Sequence, residues 1–318
     1  MLSGGWCLPN ESDYDYLSQP TMGVGYLCEW RQPDGWRLGV RGDAMAMRHA
    51  VAGTRFALAL AIEDRLVGPV NEMFELGLSA YSNPYRQSLD STNVFIGSYL
   101  NCHIGVGLRY RYAVDEKHTL SAAFRFVHSS NGYLRKPNMG LNYVTVELGF
   151  HYVPQPRSWA SADIVEQTLR QLTFFCSYAP GVVQQRGDEL NADYCYAHSL
   201  LLGALHPFSS IRSLGAEVDL MYNYTHRIDA RQNGDVDPFP LNVGLCGTYQ
   251  RNWQRFFVRV SLGTDVVRSP YLLGPIYERI GLNYRLVDQW RMTPYVGVAC
   301  KAYYGHIDYI EWTLGLEF

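Results

Sequence analysis

Apolar and polar positions alternate with a period of two along most of the chain. In YIEWTLGLEF, Trp312, Leu314, Leu316 and Phe318 are interleaved with Glu311, Thr313, Gly315 and Glu317. A two-residue period places one set on each face of a strand. The same rhythm sets Ile104, Val106, Leu108, Tyr110 and Tyr112 against Gly105, Gly107, Arg109 and Arg111, and Phe74, Leu76, Leu78 and Ala80 against Glu75, Gly77 and Ser79. Leu214, Ala216, Val218 and Leu220 oppose Glu217 and Asp219, and Phe256, Val258, Val260 and Leu262 oppose Arg259 and Ser261. In a soluble sandwich the apolar face would be the core; in a membrane barrel it is the outside.

The connections favour the barrel. Short turns fall near 33–36, 66–69, 114–117, 207–212, 250–254 and 287–290, with longer polar segments between them near 9–19, 84–93, 131–141, 183–193 and 226–239. Short turns on one side and long loops on the other are the habit of outer-membrane barrels. Tracing up and down on that rule predicts an all-β, transmembrane antiparallel β-barrel fold of about sixteen strands, with MLSGGWCL as the remnant of a first strand. GLRYRY at 107–112 lines up with GLNYRL at 281–286, and each leads through a turn and a strand to VTVELGF or WTLGLEF. PQPRSWASADIVEQTLRQ breaks the alternation. The predicted organisation is a first eight-strand unit over 1–153, a linker over 154–171 with one helical turn, and a second eight-strand unit over 172–318. One large barrel is preferred to two small ones, because a single closed wall removes every strand edge at once.

Composition narrows the class. Apolar residues make up 47% of the 318 positions and charged ones 18%, yet no uncharged run approaches the length of a spanning helix, about 20 residues. The 24 Tyr and 29 Gly suit aromatic girdles and closely packed strands. Seven Cys show no C-x-x-C spacing and are odd in number, so they are expected as scattered free thiols rather than a zinc site or a disulfide framework. No nucleotide-binding glycine loop or basic nucleic-acid stripe is present, and a net charge of −3 specifies no partner. The first sixteen residues lack a basic, apolar export leader, so the chain reads either as cytosolic or as a processed chain whose signal peptide is absent.

Candidate chemistry lies at the end of one strand, in FRFVHSSNG. Parity puts Phe124, Phe126, His128 and Ser130 on the lipid face and Arg125 and Val127 on the other. An imidazole and a hydroxyl two residues apart on one face can approach a single reacting atom: the imidazole takes the hydroxyl proton, and a nearby amide stabilises the oxyanion. Ser129, one residue off, faces away. HSSNGYLRKPNMG, with GSYLNCHIGVGLRYRY before it and VTVELGF after it, resembles the lipid A 3-O-deacylase family of outer-membrane barrels over roughly residues 20–152, and the terminal strand ending on Phe318 resembles the last strand of Gram-negative outer-membrane proteins. The resemblance implies outer-membrane localisation and a serine esterase that removes the ester-linked 3-position acyl chain of lipid A, the lipid anchor of lipopolysaccharide, with no metal or cofactor. It implies His128 as base, Ser130 as nucleophile and Asn131 as oxyanion donor, with Asn138 and Gly140 shaping the P-N-x-G loop.

One position departs from the family. Where the best-known members carry a Glu that orients the histidine, two residues after the loop glycine, this chain has Asn142. Glu147 is no substitute, since it lies with Tyr143 and Thr145 on the lumen face, whereas Asn142 shares the lipid face with Val144, Val146 and Leu148. Arg135 and Lys136 are expected to hold the substrate's phosphates. In the second unit GVACKAYYG stands where the first has FRFVHSSNG, which leaves that half without the motif, and His306 reads as a loop or interface histidine. A non-catalytic pore or structural barrel is the alternative, with Arg109, Arg111, Arg125, Glu147, Glu217, Asp219, Arg259 and Arg285 as a wet wall; in a small closed barrel the same charges would have to be paired.

Overall fold

The computed structural model describes residues 1–8, 19–32, 35–47, 52–86, 93–154, 172–184, 194–236, 241–272, 274–287 and 291–318. They form two closed antiparallel barrels of eight strands each. The first contains β1 (Leu2–Leu8), β2 (Gln19–Arg31), β3 (Arg37–Met47), β4 (Arg55–Val67), β5 (Val70–Tyr81), β6 (Leu100–Ala113), β7 (His118–Ser130) and β8 (Leu141–Tyr152), and closes by pairing β1 with β8. The second contains β9 (Thr173–Gln184), β10 (Tyr194–Pro207), β11 (Arg212–Asn223), β12 (Leu241–Trp253), β13 (Phe256–Val267), β14 (Ile276–Arg285), β15 (Thr293–Tyr303) and β16 (His306–Glu317), closed by β16 on β9. The preference for one large barrel is therefore corrected. Removal of edges does not distinguish the two designs, since each eight-strand wall already has none.

Burial is the reverse of a soluble protein's. Met22, Tyr26, Leu58, Leu148 and Trp312 stand exposed on the outside, each more than 60% accessible, while Arg41, Arg109, Glu147, Asp219 and Glu311 are buried in the lumens. Eight strands leave an interior just wide enough for side chains to fill, and here charges fill much of it in pairs. In the first barrel Arg109 bridges Glu63 and Glu147 at 2.9 and 2.8 Å, Arg41 donates to Glu147 at 2.5 Å, and Arg125 donates to Glu75 at 2.5 Å. In the second, Arg279 holds Glu311 and Asp219 at 2.5 and 3.0 Å, Lys301 holds Asp219 at 2.7 Å, and Arg285 donates to Glu317 at 2.8 Å. The wet-wall arrangement is corrected to mutually paired ions, as burial requires.

Local departures have local causes. Loop alternation fails between β15 and β16, which are joined by Tyr304–Gly305 where a long connection is expected; both residues have positive φ, 51° and 78°, the geometry of a tight hairpin. The polar stretch after β11 contains a helix, α1 (Thr225–Asn233), stopped by Gly234 in the left-handed region, whose N–H returns to Ala230 and Arg231. His306 is the first residue of β16 rather than a loop residue. The expected linker with its helical turn falls on residues 155–171, outside the described residues apart from its first position. All seven cysteines are free thiols. No helix among the described residues is long and apolar enough to cross a membrane.

Candidate functional site

β7 carries the site because its alternation persists to its last turn of chain. Leu120, Phe124 and Phe126 are exposed outward, and Ser121, Ala123, Arg125 and Val127 are buried inward. The same parity puts His128 and Ser130 on the outer side of the wall and Ser129 in the lumen, where Ser129 accepts from Ser79 Oγ at 3.2 Å. Unlike the outward residues before them, His128 and Ser130 are buried, at 7% and 1% exposure.

The cross-strand partner of His128 on β8 is Asn142, and Asn142 Oδ1 lies 2.6 Å from His128 Nδ1. An amide oxygen there places the imidazole proton on Nδ1 and makes Nε2 the basic nitrogen. Glu147 lies in the lumen between Arg41, Arg109 and Arg125, on the opposite face from the site.

The connection after β7 closes over these groups. Asn138 Nδ2 donates to Ser130 Oγ at 2.7 Å, and Asn138 Oδ1 accepts the backbone N–H of Asn131 at 3.1 Å. The side-chain amide of Asn131 donates to Ser98 Oγ at 3.0 Å. Thus Asn138 touches the serine hydroxyl, while the backbone and side-chain amides of Asn131 engage Asn138 and Ser98. Gly140 has φ +75°, and a Cβ there would stand 2.8 Å from His128 Cε1, so the loop can lie against the imidazole only with glycine at that position. Arg135 is exposed and Lys136 half-buried, its ammonium 5.8 Å from the centre of the Tyr133 ring. Both lie on the connection between β7 and β8, five and six residues past Ser130.

Below the site, Val127, Leu141 and Tyr143 pack with Cys7, Met45, Ala52, Tyr81, Phe95 and Ile96, forming an apolar floor at this end of the lumen. Phe95 and Ile96 arrive on the β5–β6 connection, which is tied to the site loop by Met139 N–H to Val94 O and Gly140 N–H to Phe95 O, 3.2 and 3.0 Å. Asn93 shapes that connection by accepting the N–H groups of Phe95 and Ile96. Ser98 and Asn93 are supports that sequence reasoning missed. The available signal was an Asn two residues before an apolar pair in TNVFIGSYLN, which predicts an Asx turn. Among the described residues no group of three or more His, Cys, Asp or Glu side chains is disposed to hold a metal ion.

Residues 21–151 match the family model described as lipid A 3-O-deacylase (PagL), and residues 168–318 match that described as acyloxyacyl hydrolase, C-terminal domain. The solved structure of the outer membrane enzyme PagL is similar to 48% of this chain over 99% of its own length, at 20% identity and a TM-score of 0.33. The KdgM porin aligns over 100% of this chain and 97% of its own, at 7% identity and a TM-score of 0.21. The outer membrane protein opdK from Pseudomonas aeruginosa aligns over 100% and 96%, at 10% identity and a TM-score of 0.25. No curated protein matches.

Proposed function

Because the chain belongs to the lipid A 3-O-deacylase family, matched by its two models over 21–151 and 168–318, we propose that its first barrel is a serine esterase that hydrolyses the 3-O acyl ester of lipid A. The protein is an outer-membrane β-barrel. Its long-loop end, where His128 and Ser130 lie, faces the outer leaflet, and its short turns face the periplasm.

The observation that carries this reading is the 2.6 Å contact between His128 Nδ1 and Asn142 Oδ1, on the face that also holds Ser130. Ser130 Oγ accepts from Asn138, which leaves its own proton for donation to His128 Nε2. Oγ then adds to the acyl carbonyl, and the carbonyl oxygen becomes an oxyanion stabilised by the amide donors of the 131–138 turn. Collapse breaks the ester C–O bond. The departing 3-oxygen of the sugar takes the proton from His128, and the acyl group stays on Ser130 until water, deprotonated by His128, releases it as a fatty acid. No step requires a metal or cofactor. Arg135 and Lys136, beside the reacting strand in sequence, supply cations for the substrate's phosphates.

Mass spectrometry of lipid A from cells with and without the protein tests the reading. The expected result is loss of one 3-hydroxyacyl chain, and its persistence when Ser130 is replaced by Ala. An unchanged lipid A beside well-folded protein would falsify it.

A further inference from the structure

The outer wall of the second barrel carries a feature that the hydrolytic reading does not use. Tyr178 on β9, Tyr196 and His198 on β10 and Tyr222 on β11 surround one imidazole near the long-loop end. The His198 ring lies 5.7 Å from Tyr178 at 13° between planes, 6.2 Å from Tyr196 at 17°, and 6.5 Å from Tyr222 at 36°. The Tyr178 and Tyr196 rings lie nearly parallel to the imidazole at offset-stacking separations, and the Tyr222 ring is tilted toward it. They make a shallow aromatic platform on the outside of the wall. Tyr196 and Tyr194 beside it are 65% and 60% exposed.

Two observations separate the platform from an ordinary aromatic girdle. A girdle runs round the whole wall, whereas on the far side of this barrel the same end presents Val266 on β13 and Ile276 on β14, both exposed and aliphatic. The centre of the patch, moreover, is a histidine held in one orientation: Tyr178 Oη lies 2.6 Å from His198 Nδ1. With the phenol donating to Nδ1, the neutral imidazole carries its proton on Nε2, and its other edge is a hydrogen-bond donor. A flat aromatic surface with a donor at its centre, flanked by phenol hydroxyls, is complementary to a sugar face bearing an anionic oxygen.

We infer that this patch is a second lipid-binding site, which takes the phosphorylated saccharide headgroup of an outer-leaflet glycolipid of the lipid A class. The inference rests on the outer-membrane orientation given above and is independent of hydrolysis. It assigns a holding role to the half of the chain that lacks the His-x-Ser motif. The rings receive the apolar face of the sugar, and His198 Nε2–H donates to a phosphate oxygen.

The test uses the full chain with Ser130→Ala, so that nothing is consumed, titrated in detergent with bisphosphorylated lipid A and with the same lipid stripped of phosphate; bound lipids are counted by native mass spectrometry. The parent is expected to take two phosphorylated lipids. His198→Ala should weaken the second by about tenfold and abolish the preference for the phosphorylated form. Tyr196→Ala should weaken both forms, and Val266→Ala should change neither. A heat-modifiable, folded His198→Ala chain that keeps its second lipid at undiminished affinity overturns the inference, as does equal loss in Val266→Ala. Failure of the hydrolase reading appears elsewhere, as intact lipid A in cells carrying the Ser130 chain, and leaves this count unaffected.

Discussion

His128 and Asn142 face each other across β7 and β8, with the imidazole Nδ1 2.6 Å from an amide oxygen rather than from a carboxylate. The amide fixes the tautomer but offers no negative charge to the imidazolium that forms as Ser130 loses its proton.

Asn142→Glu supplies that charge on the correct face of β8. Turnover on lipid A should rise by about tenfold or more, and the midpoint of the pH–rate profile should move upward, because a carboxylate favours the protonated ring. Single-turnover hydrolysis across a pH series is the measurement. A drop in rate for this variant means that the facing of β8 has been misassigned.

Ser130→Ala or His128→Ala should lower deacylation by at least about a thousandfold, as for other hydroxyl–imidazole pairs. Ser129→Ala, which loses only a lumen hydrogen bond with Ser79, should retain most of the rate. Chain-resolved lipid A mass spectra distinguish these outcomes.

Gly140→Ala combines a backbone at φ +75° with a methyl 2.8 Å from His128 Cε1. The ring must shift from its present place, so kcat should fall by about a hundredfold while the barrel still shifts on heating in gels. An unimpaired Gly140→Ala enzyme would show that the loop is not seated against the ring during catalysis.

Glu147→Gln leaves Arg41, Arg109 and Arg125 short of a shared anion in a buried lumen. Breaking such a pair costs about 3–5 kcal/mol, so the temperature of the gel-mobility shift should fall. Activity per folded molecule should stay near that of the parent, since Glu147 does not face the site.

Much of this was legible in the chain because a strand's facing is a matter of parity. Counting by twos from Phe124 put His128 and Ser130 outside and Ser129 inside, and counting from Tyr143 put Glu147 out of reach of the base. What parity does not encode was read less well. Whether sixteen strands close once or twice depends on which strands pair, and both closures satisfy the same alternation. Asn138 reaches Ser130 across a turn that has no period. Ser98 and Asn93 act from a connection more than thirty positions upstream of Asn131, and nothing in their local sequence points to Asn131 or Gly140. Thr225–Asn233 reads as polar loop because its helix has no strong apolar stripe.

In the first barrel, Arg41, Glu147, Arg109, Glu63, Arg111 and Glu29 form an unbroken succession of ion pairs, each link between 2.5 and 2.9 Å. Electrically, these groups are one another's counter-ions, and the axis that a hydrated ion would have to travel is occupied by guanidinium and carboxylate groups. An ion entering this lumen would have to displace a member of an existing pair, so charges that read in the sequence as a conducting wall serve the first barrel as its plug.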